Sequence, residues 1–259
     1  MPVDHSHRSL SDLSLTAGGS VGMRTWGRRS TVAKAYDMRL LTPYPVAYFD
    51  AGMSGETVLG LNKTPIPPGA TPSYWVDRAT GTIKGLQPGL VYTASGGGSL
   101  VAGGQSFTSY TAAGPPLLNV TISAWVKSYN IGSPQYQRFV TVGNEGMVLR
   151  LDTGGLRAYC TVTQGLILST IWPVMIANTR AHVASTWDGT SLKVYHNGVL
   201  LETITPGTGT LICSRSLLLG GSNPEYMNGD MSHVAVYSTA ATAAEIANYF
   251  TKYRGFYGV

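Results

Sequence analysis

Charge is scarce in this sequence. Aspartate, glutamate, lysine and arginine make up 12% of 259 residues, about half the usual quarter. Glycine, serine, threonine and tyrosine are plentiful instead, and together they imply a β-rich chain with a neutral, hydroxyl-rich surface. The formal charge of +5 is a thin excess of 18 basic over 13 acidic side chains, which argues against nucleic acid as a partner. Cysteine is scarcer still. Cys160 and Cys213 stand in apolar, strand-like surroundings with no CxxC and no zinc spacing, so two buried free thiols are expected rather than a disulfide.

Long apolar runs are missing too. Residues 166–177 are interrupted by Ser169, Thr170 and Pro173, too short a stretch to span a bilayer, and no membrane insertion is expected. The start, MPVDHSHRSLSDLSL, has neither the basic opening nor the continuous apolar core of a secretory signal, which predicts synthesis in the cytoplasm. The glycine run at 96–98 is followed by no Gly-Lys-Ser/Thr and opens no helix, so it is a loop and not a phosphate cradle.

What is present is β structure with clear punctuation. Residues 1–44 read as an extended arm, polar and carrying most of the basic excess, including the RTWGRR cluster of Arg24, Trp26, Arg28 and Arg29. From residue 45 to 259 the pattern is that of one sandwich. Val46–Phe49 is a first strand, and prolines then allow only short strands such as SYWV and LVYTA. Asn119–Ser128 alternates, with Val120, Ile122, Ala124 and Val126 on a buried face and Thr121, Ser123, Trp125 and Lys127 on the other. RFVTVG, MVLRLD, GLRAYCTVT and LILSTIW follow at near-regular intervals, the spacing of a sandwich or barrel. Asp188-Gly189 and Asn197-Gly198 are hairpin turns between β-branched and aromatic runs. Only the end is helical: Thr242 and Glu245 form a capping box, and Ile246, Tyr249 and Phe250 one apolar face. A helix of about eight to ten residues is expected there.

On these words, VTISAWVKS, AHVASTWDGTSLKVYHNGVLL, LLLGG and NGDMSHVAVYSTAATAAEI, residues 118–250 resemble the laminin-G-like branch of the concanavalin A-like lectin/glucanase superfamily. The resemblance implies an all-β, two-sheet antiparallel jelly-roll sandwich, with residues 45–110 as its opening strands, including Gln105–Tyr110. The chain departs from the family at two places: Arg180 stands where a tryptophan often precedes His-Val-Ala, and Ser232 where the last strand often has an acidic residue that supports calcium in some relatives. No metal or cofactor is expected. The superfamily's glucanases carry two carboxylates close together on one strand, whereas no two acidic residues here lie two or four apart, so no strand presents an acid and a nucleophile on one face. No catalytic residue is expected. His182 and His233 each open a His-Val-Ala and read as strand histidines bonded within the sandwich.

Sugar binding remains open to the loops, where aromatic faces stack on pyranose rings. Tyr129 and Tyr136 in SYNIGSPQYQR, with Asn223 and Tyr226 in SNPEYMN, are the glycan-binding candidates. The arm, the low charge and the lectin-like sandwich together predict a noncatalytic structural protein of a bacteriophage virion, minor tail rather than capsid. In that reading Arg24, Trp26, Arg28 and Arg29 dock on other virion proteins, the chain forms a homo-oligomer on the particle, and the sandwich faces host glycans. The alternative is a free carbohydrate-binding lectin module; a divergent glycoside hydrolase is the third reading.

Overall fold

The computed structural model describes residues 41, 45–51, 58–59, 66–94, 98–104, 107–111, 115–132, 136–207, 209–221 and 224–259. In chain order its strands begin with β1 (Ala47–Asp50), β2 (Val58–Leu59), β3 (Tyr74–Asp77), β4 (Thr82–Gly85), β5 (Val91–Thr93) and β6 (Ser99–Gly103). Next come β7 (Thr108–Thr111), β8 (Val120–Ser128), β9 (Gln137–Val142), β10 (Met147–Asp152), β11 (Gly155–Val162) and β12 (Gly165–Leu168). The last strands are β13 (Arg180–Trp187), β14 (Leu192–His196), β15 (Val199–Ile204), β16 (Ser216–Leu219) and β17 (Asn228–Tyr237), followed by the helix α1 (Ala243–Tyr257).

The strands form a jelly-roll sandwich of two antiparallel sheets with a small third sheet beside them. The larger sheet runs β15-β14-β13-β8-β17-β6-β5, with β1 also on β17; the smaller runs β12-β11-β10-β9-β16-β7; β2-β3-β4 stand apart. Between the two main sheets lies one apolar core, to which Val120, Ile122, Ala124 and Val126 contribute from β8 and Met147, Leu149 and Leu151 from β10. Cys160 and Cys213 sit in this core as free thiols, and burial pushes both up to about 12, which keeps them unreactive at neutral pH. Asn197 and Gly198, at φ 48° and 79°, make the β14–β15 turn with positive φ at both central residues, as the Asn-Gly dipeptide predicts.

Two expectations need correction. The helix spans 15 residues, not eight to ten, because its buried stripe continues past Tyr249 to Tyr253 and Tyr257 before Gly258 ends it at φ 77°. The capping box of Thr242 and Glu245 is present. And β8 is not buried on one face only. The helix covers the other face of the larger sheet, where Trp125, Tyr195, Tyr237, Ile246, Tyr249 and Tyr257 form a second cluster, so every residue of β8 but Lys127 is buried. Trp125 lies 4.4 Å from the Tyr257 ring and 5.8 Å from Phe250, and its Nε1 donates to Tyr249 Oη at 3.1 Å. Leu41 is buried in the same cluster, its N–H donating to Tyr237 Oη at 2.9 Å.

Candidate functional site

The outer face of the smaller sheet carries an arrangement the sequence did not announce. Arg150 on β10 pairs in register with Arg157 on β11 and with Arg138 on β9, so three guanidiniums stand abreast across three strands. Simple alternation would turn Arg138 inward with Val140 and Val142. A bulge opposite Leu149/Arg150 inserts Phe139, which is fully buried in the core, and returns Arg138 to the outer face. Like charges directly opposite one another destabilise a sheet, and three carboxylates offset this. Glu225 and Glu145 both accept from Arg138; Asp152 Oδ2 accepts from Arg150 Nη2 and Arg157 Nη1, each at 2.8 Å.

Neighbouring loops supply the rest of the face. Glu145 occupies the β9–β10 turn at φ 64°, a left-handed conformation that costs a residue with a side chain about 1–2 kcal/mol. Its carbonyl accepts from Thr161 Oγ1 at 2.8 Å, and its carboxylate accepts from the Tyr159 hydroxyl. Glu225 arrives because Gly221, at φ 80°, lets the loop fold back: a Cβ there would stand 2.0 Å from the Glu225 carbonyl oxygen. Gln137 is fully buried and ties the β8–β9 loop down, its Oε1 accepting from Ser128 Oγ at 3.1 Å and from the Asn228 N–H at 3.0 Å. The next residue back, Tyr136, is thereby held over Arg150.

The centre of the face is a stack. The Arg150 guanidinium lies 4.8 Å from the centroid of the exposed Tyr136 ring and 5.2 Å from that of the buried Tyr159 ring. Tyr136 is 40% exposed, so an apolar surface remains on offer beside the charged row. Burial opposes ionisation of Asp152, yet hydrogen bonds from Arg157 and Arg150 hold it below the usual carboxylate range. Burial opposes ionisation of Glu145 as well, and Tyr159 and Arg138 hold it low. The Tyr159 hydroxyl is pushed up by burial and by its bond to Glu145. A face that pairs Glu145 and Asp152, both held low, with guanidiniums can hydrogen-bond a polyol.

Of the residues singled out from sequence, Tyr136 lies in this face and Tyr226, half-buried, is chain neighbour to Glu225. Tyr129 does not join them. It lies just past the end of β8, with Lys127 Nζ 5.1 Å from its ring; its hydroxyl is pushed up by burial and by Asp230. Asn223, and Arg24, Trp26, Arg28 and Arg29 of the arm, lie outside the described residues. The two departures from the family pattern touch each other: Arg180 donates to Ser232 Oγ through Nη1 and to Asp230 Oδ2 through Nη2, the latter at 3.0 Å. Lys127 Nζ adds a second contact to Asp230 at 2.9 Å, so both cations meet the same carboxylate oxygen, Oδ2. No group of three metal-ligating side chains occurs among the described residues. His182 and His233 flank Trp125 in register on β13 and β17, beneath the helix. Ser123 Oγ lies 2.9 Å from His182 Nε2, while Tyr249 Oη and Tyr257 Oη each lie 3.2 Å from a nitrogen of His233.

Arg138, Glu145, Arg150, Arg157 and Tyr159 were missed by sequence reasoning. The signal for Arg150, Arg157 and Tyr159 was there as charged or aromatic residues at outward positions of MVLRLD and GLRAYC. Bringing Arg138 beside them needed the bulge.

Among solved structures, the receptor-binding domain of botulinum neurotoxin type G is similar at 11% identity and a TM-score of 0.58, covering 81% of this chain and 51% of that one. The receptor-binding domain of botulinum neurotoxin D is similar at 12% identity and a TM-score of 0.55, covering 76% and 51%. The chain thus spans about half the length of these domains. A CBM40 of a Ruminococcus gnavus IT-sialidase, bound to α2,3-sialyllactose, gives 16% identity and a TM-score of 0.48 over 58% of this chain and 95% of its own. No curated protein sequence matches the chain. The family profile described as the concanavalin A-like lectin/glucanases superfamily matches residues 98–247, a span that includes most of both main sheets and the whole arginine row. The chain belongs to the concanavalin A-like lectin/glucanase superfamily.

Proposed function

We propose that this chain is a noncatalytic, lectin-like carbohydrate-binding domain, and that its binding face is the Tyr136–Arg150–Tyr159 stack with the carboxylates around it. The observation that carries this reading is the exposed Tyr136 ring held over the Arg150 guanidinium. A pyranose presents an apolar C–H face and a rim of hydroxyls; an immobilised tyrosine ring takes the first, and Glu145 with Arg138 takes the second. Fixing these groups beforehand lowers the entropy lost on binding. The carboxylates' depressed pKa values favour binding over hydrolysis, since both hydrolytic schemes need a carboxyl that is protonated near neutral pH. A glycan array with the wild-type chain and Tyr136→Ala tests the proposal. Binding that Tyr136→Ala removes is expected; binding that this variant leaves untouched rules out the face.

A second reading, a particle-borne adhesion domain located on a bacteriophage virion, draws on one observation. Leu41 docks on the outer face of the larger sheet beside the helix, while the arginine row lies on the outer face of the smaller sheet, so a domain tethered through its arm would present that row away from its support. None of the relatives described above is a virion protein, and the free binding module is the better supported of the two. Replacing Arg24, Trp26, Arg28 and Arg29 together by alanine should abolish particle incorporation if the arm docks; normal incorporation would sink the idea.

A further inference from the structure

The charge count of the binding face points to a narrower ligand class. We infer that the face selects an uncharged glycan and discriminates against sugars bearing a carboxylate or sulfate; this rests on the carbohydrate-binding reading above. Three guanidiniums, of Arg138, Arg150 and Arg157, meet three carboxylates, of Glu145, Asp152 and Glu225. The row is therefore neutral despite its arginines. Exposure sharpens the point. The arginine side chains are 14%, 13% and 22% exposed, whereas Glu145 is 45% exposed, so the charged group that meets an incoming ligand first is an anion.

Most of the arginine donors are also committed. Arg138 gives Nε to Glu225 and Nη1 to Glu145; Arg157 gives Nε to the Ser169 carbonyl and Nη1 to Asp152; Arg150 gives Nη2 to Asp152. Arg150 Nε has no partner but is buried under the Tyr136 ring, out of reach of a second carboxylate. An acidic sugar would have to displace an internal carboxylate from its guanidinium, or reach Arg138 Nη2 and lie against the Glu145 charge bound beside it. A neutral pyranose needs neither: its C–H face covers Tyr136, and one hydroxyl can donate to Glu145 while accepting from Arg138 Nη2, which holds no bond among the described residues.

The experiment is an array of neutral oligosaccharides, each printed beside a counterpart that differs only by a terminal sialic acid, uronic acid or sulfate. It is run on the full chain, on Tyr136→Ala and on Glu145→Gln, with thermal melts confirming that each variant is folded. The expected result is binding to neutral members, at least about fivefold weaker binding to their acidic counterparts, and loss of both in Tyr136→Ala. Glu145→Gln makes the row net positive and frees Arg138 Nη1, so the acidic counterparts should gain about fivefold and become salt-sensitive. Preference of the wild-type chain for the acidic members would overturn this inference and leave the carbohydrate-binding reading standing. Unchanged discrimination in Glu145→Gln would also overturn it, because the charge of that residue is the proposed cause. Binding to no member at all would overturn the carbohydrate-binding reading, and the inference with it.

Discussion

At the scale of single residues, Tyr136 and Arg150 are neighbours in the stack but should behave differently when removed. Tyr136 is 40% exposed, so Tyr136→Ala should cost less than about 1 kcal/mol of stability in urea titrations while abolishing glycan binding. Arg150 supports Asp152, Glu225 and both rings; Arg150→Ala should cost roughly 2–3 kcal/mol as well as binding. Equal stability losses for the two would contradict this division of labour. His182 offers a test by pH. Burial pushes its imidazole down to about 3, with His196 a smaller contributor, against an ordinary value near 6.5 in the unfolded chain. The unfolded state therefore takes up a proton that the folded state refuses, and the stability this residue confers is complete above about pH 6.5 and declines as pH falls toward 3. The expected slope from one such group approaches about 1.4 kcal/mol per pH unit. Urea titrations at pH 7.5, 6 and 5 should show the decline, and His182→Gln should flatten it by close to one proton; an identical slope in the variant would exclude His182 as its source.

At the scale of elements, two glycines fix where neighbouring pieces meet. A Cβ on Gly221 would meet the Glu225 carbonyl at 2.0 Å, so Gly221→Ala should expel Glu225 from Arg138 and weaken glycan binding by tenfold or more, roughly the value of one charged contact in a binding site. A Cβ on Gly198 would meet Phe250 Cβ at 2.8 Å from a residue already at φ +79°. Gly198→Ala should cost more than about 2 kcal/mol and loosen the helix from the sheet, read as a fall in melting temperature with faster amide exchange in α1; a melt within a degree of wild type would contradict it. These contacts mark what the sequence could and could not say. The strands, the Asn197-Gly198 turn and the Thr242–Glu245 cap were legible because each depends on residues near one another in the chain. The helix's true end was obscured by Lys252, Arg254 and Gly255, polar residues on the exposed side of a stripe whose buried members lie three or four apart. The arginine row was only partly legible: Arg150, Arg157 and Tyr159 stood at outward strand positions, but their meeting with Arg138 exists only in the pairing of β9, β10 and β11 and in a bulge, and neither leaves a local mark.

At the scale of the whole molecule, β17 is the strand on which the larger sheet depends. It pairs with β1, β6 and β8, partners drawn from across the preceding chain. Long-range antiparallel pairing of this kind folds in milliseconds to seconds, and stopped-flow refolding should fall in that range with a single cooperative transition at equilibrium. Deleting residues 228–259 should leave no such transition; a truncated chain that still melts cooperatively would show that the sheets assemble without their central strand. The placement of β17 also bears on how the chain is made. At about 5–20 residues per second, a ribosome that has finished β1 needs on the order of ten seconds or more to deliver the strand beside it. During that interval β5 and β13 can pair with β6 and β8 on one side, but the edges that will face β17 stay open. The interval before β17 emerges is when a trigger-factor-like holdase has the most to do, and slowing translation late in the message should lower the yield of soluble protein more than slowing it early.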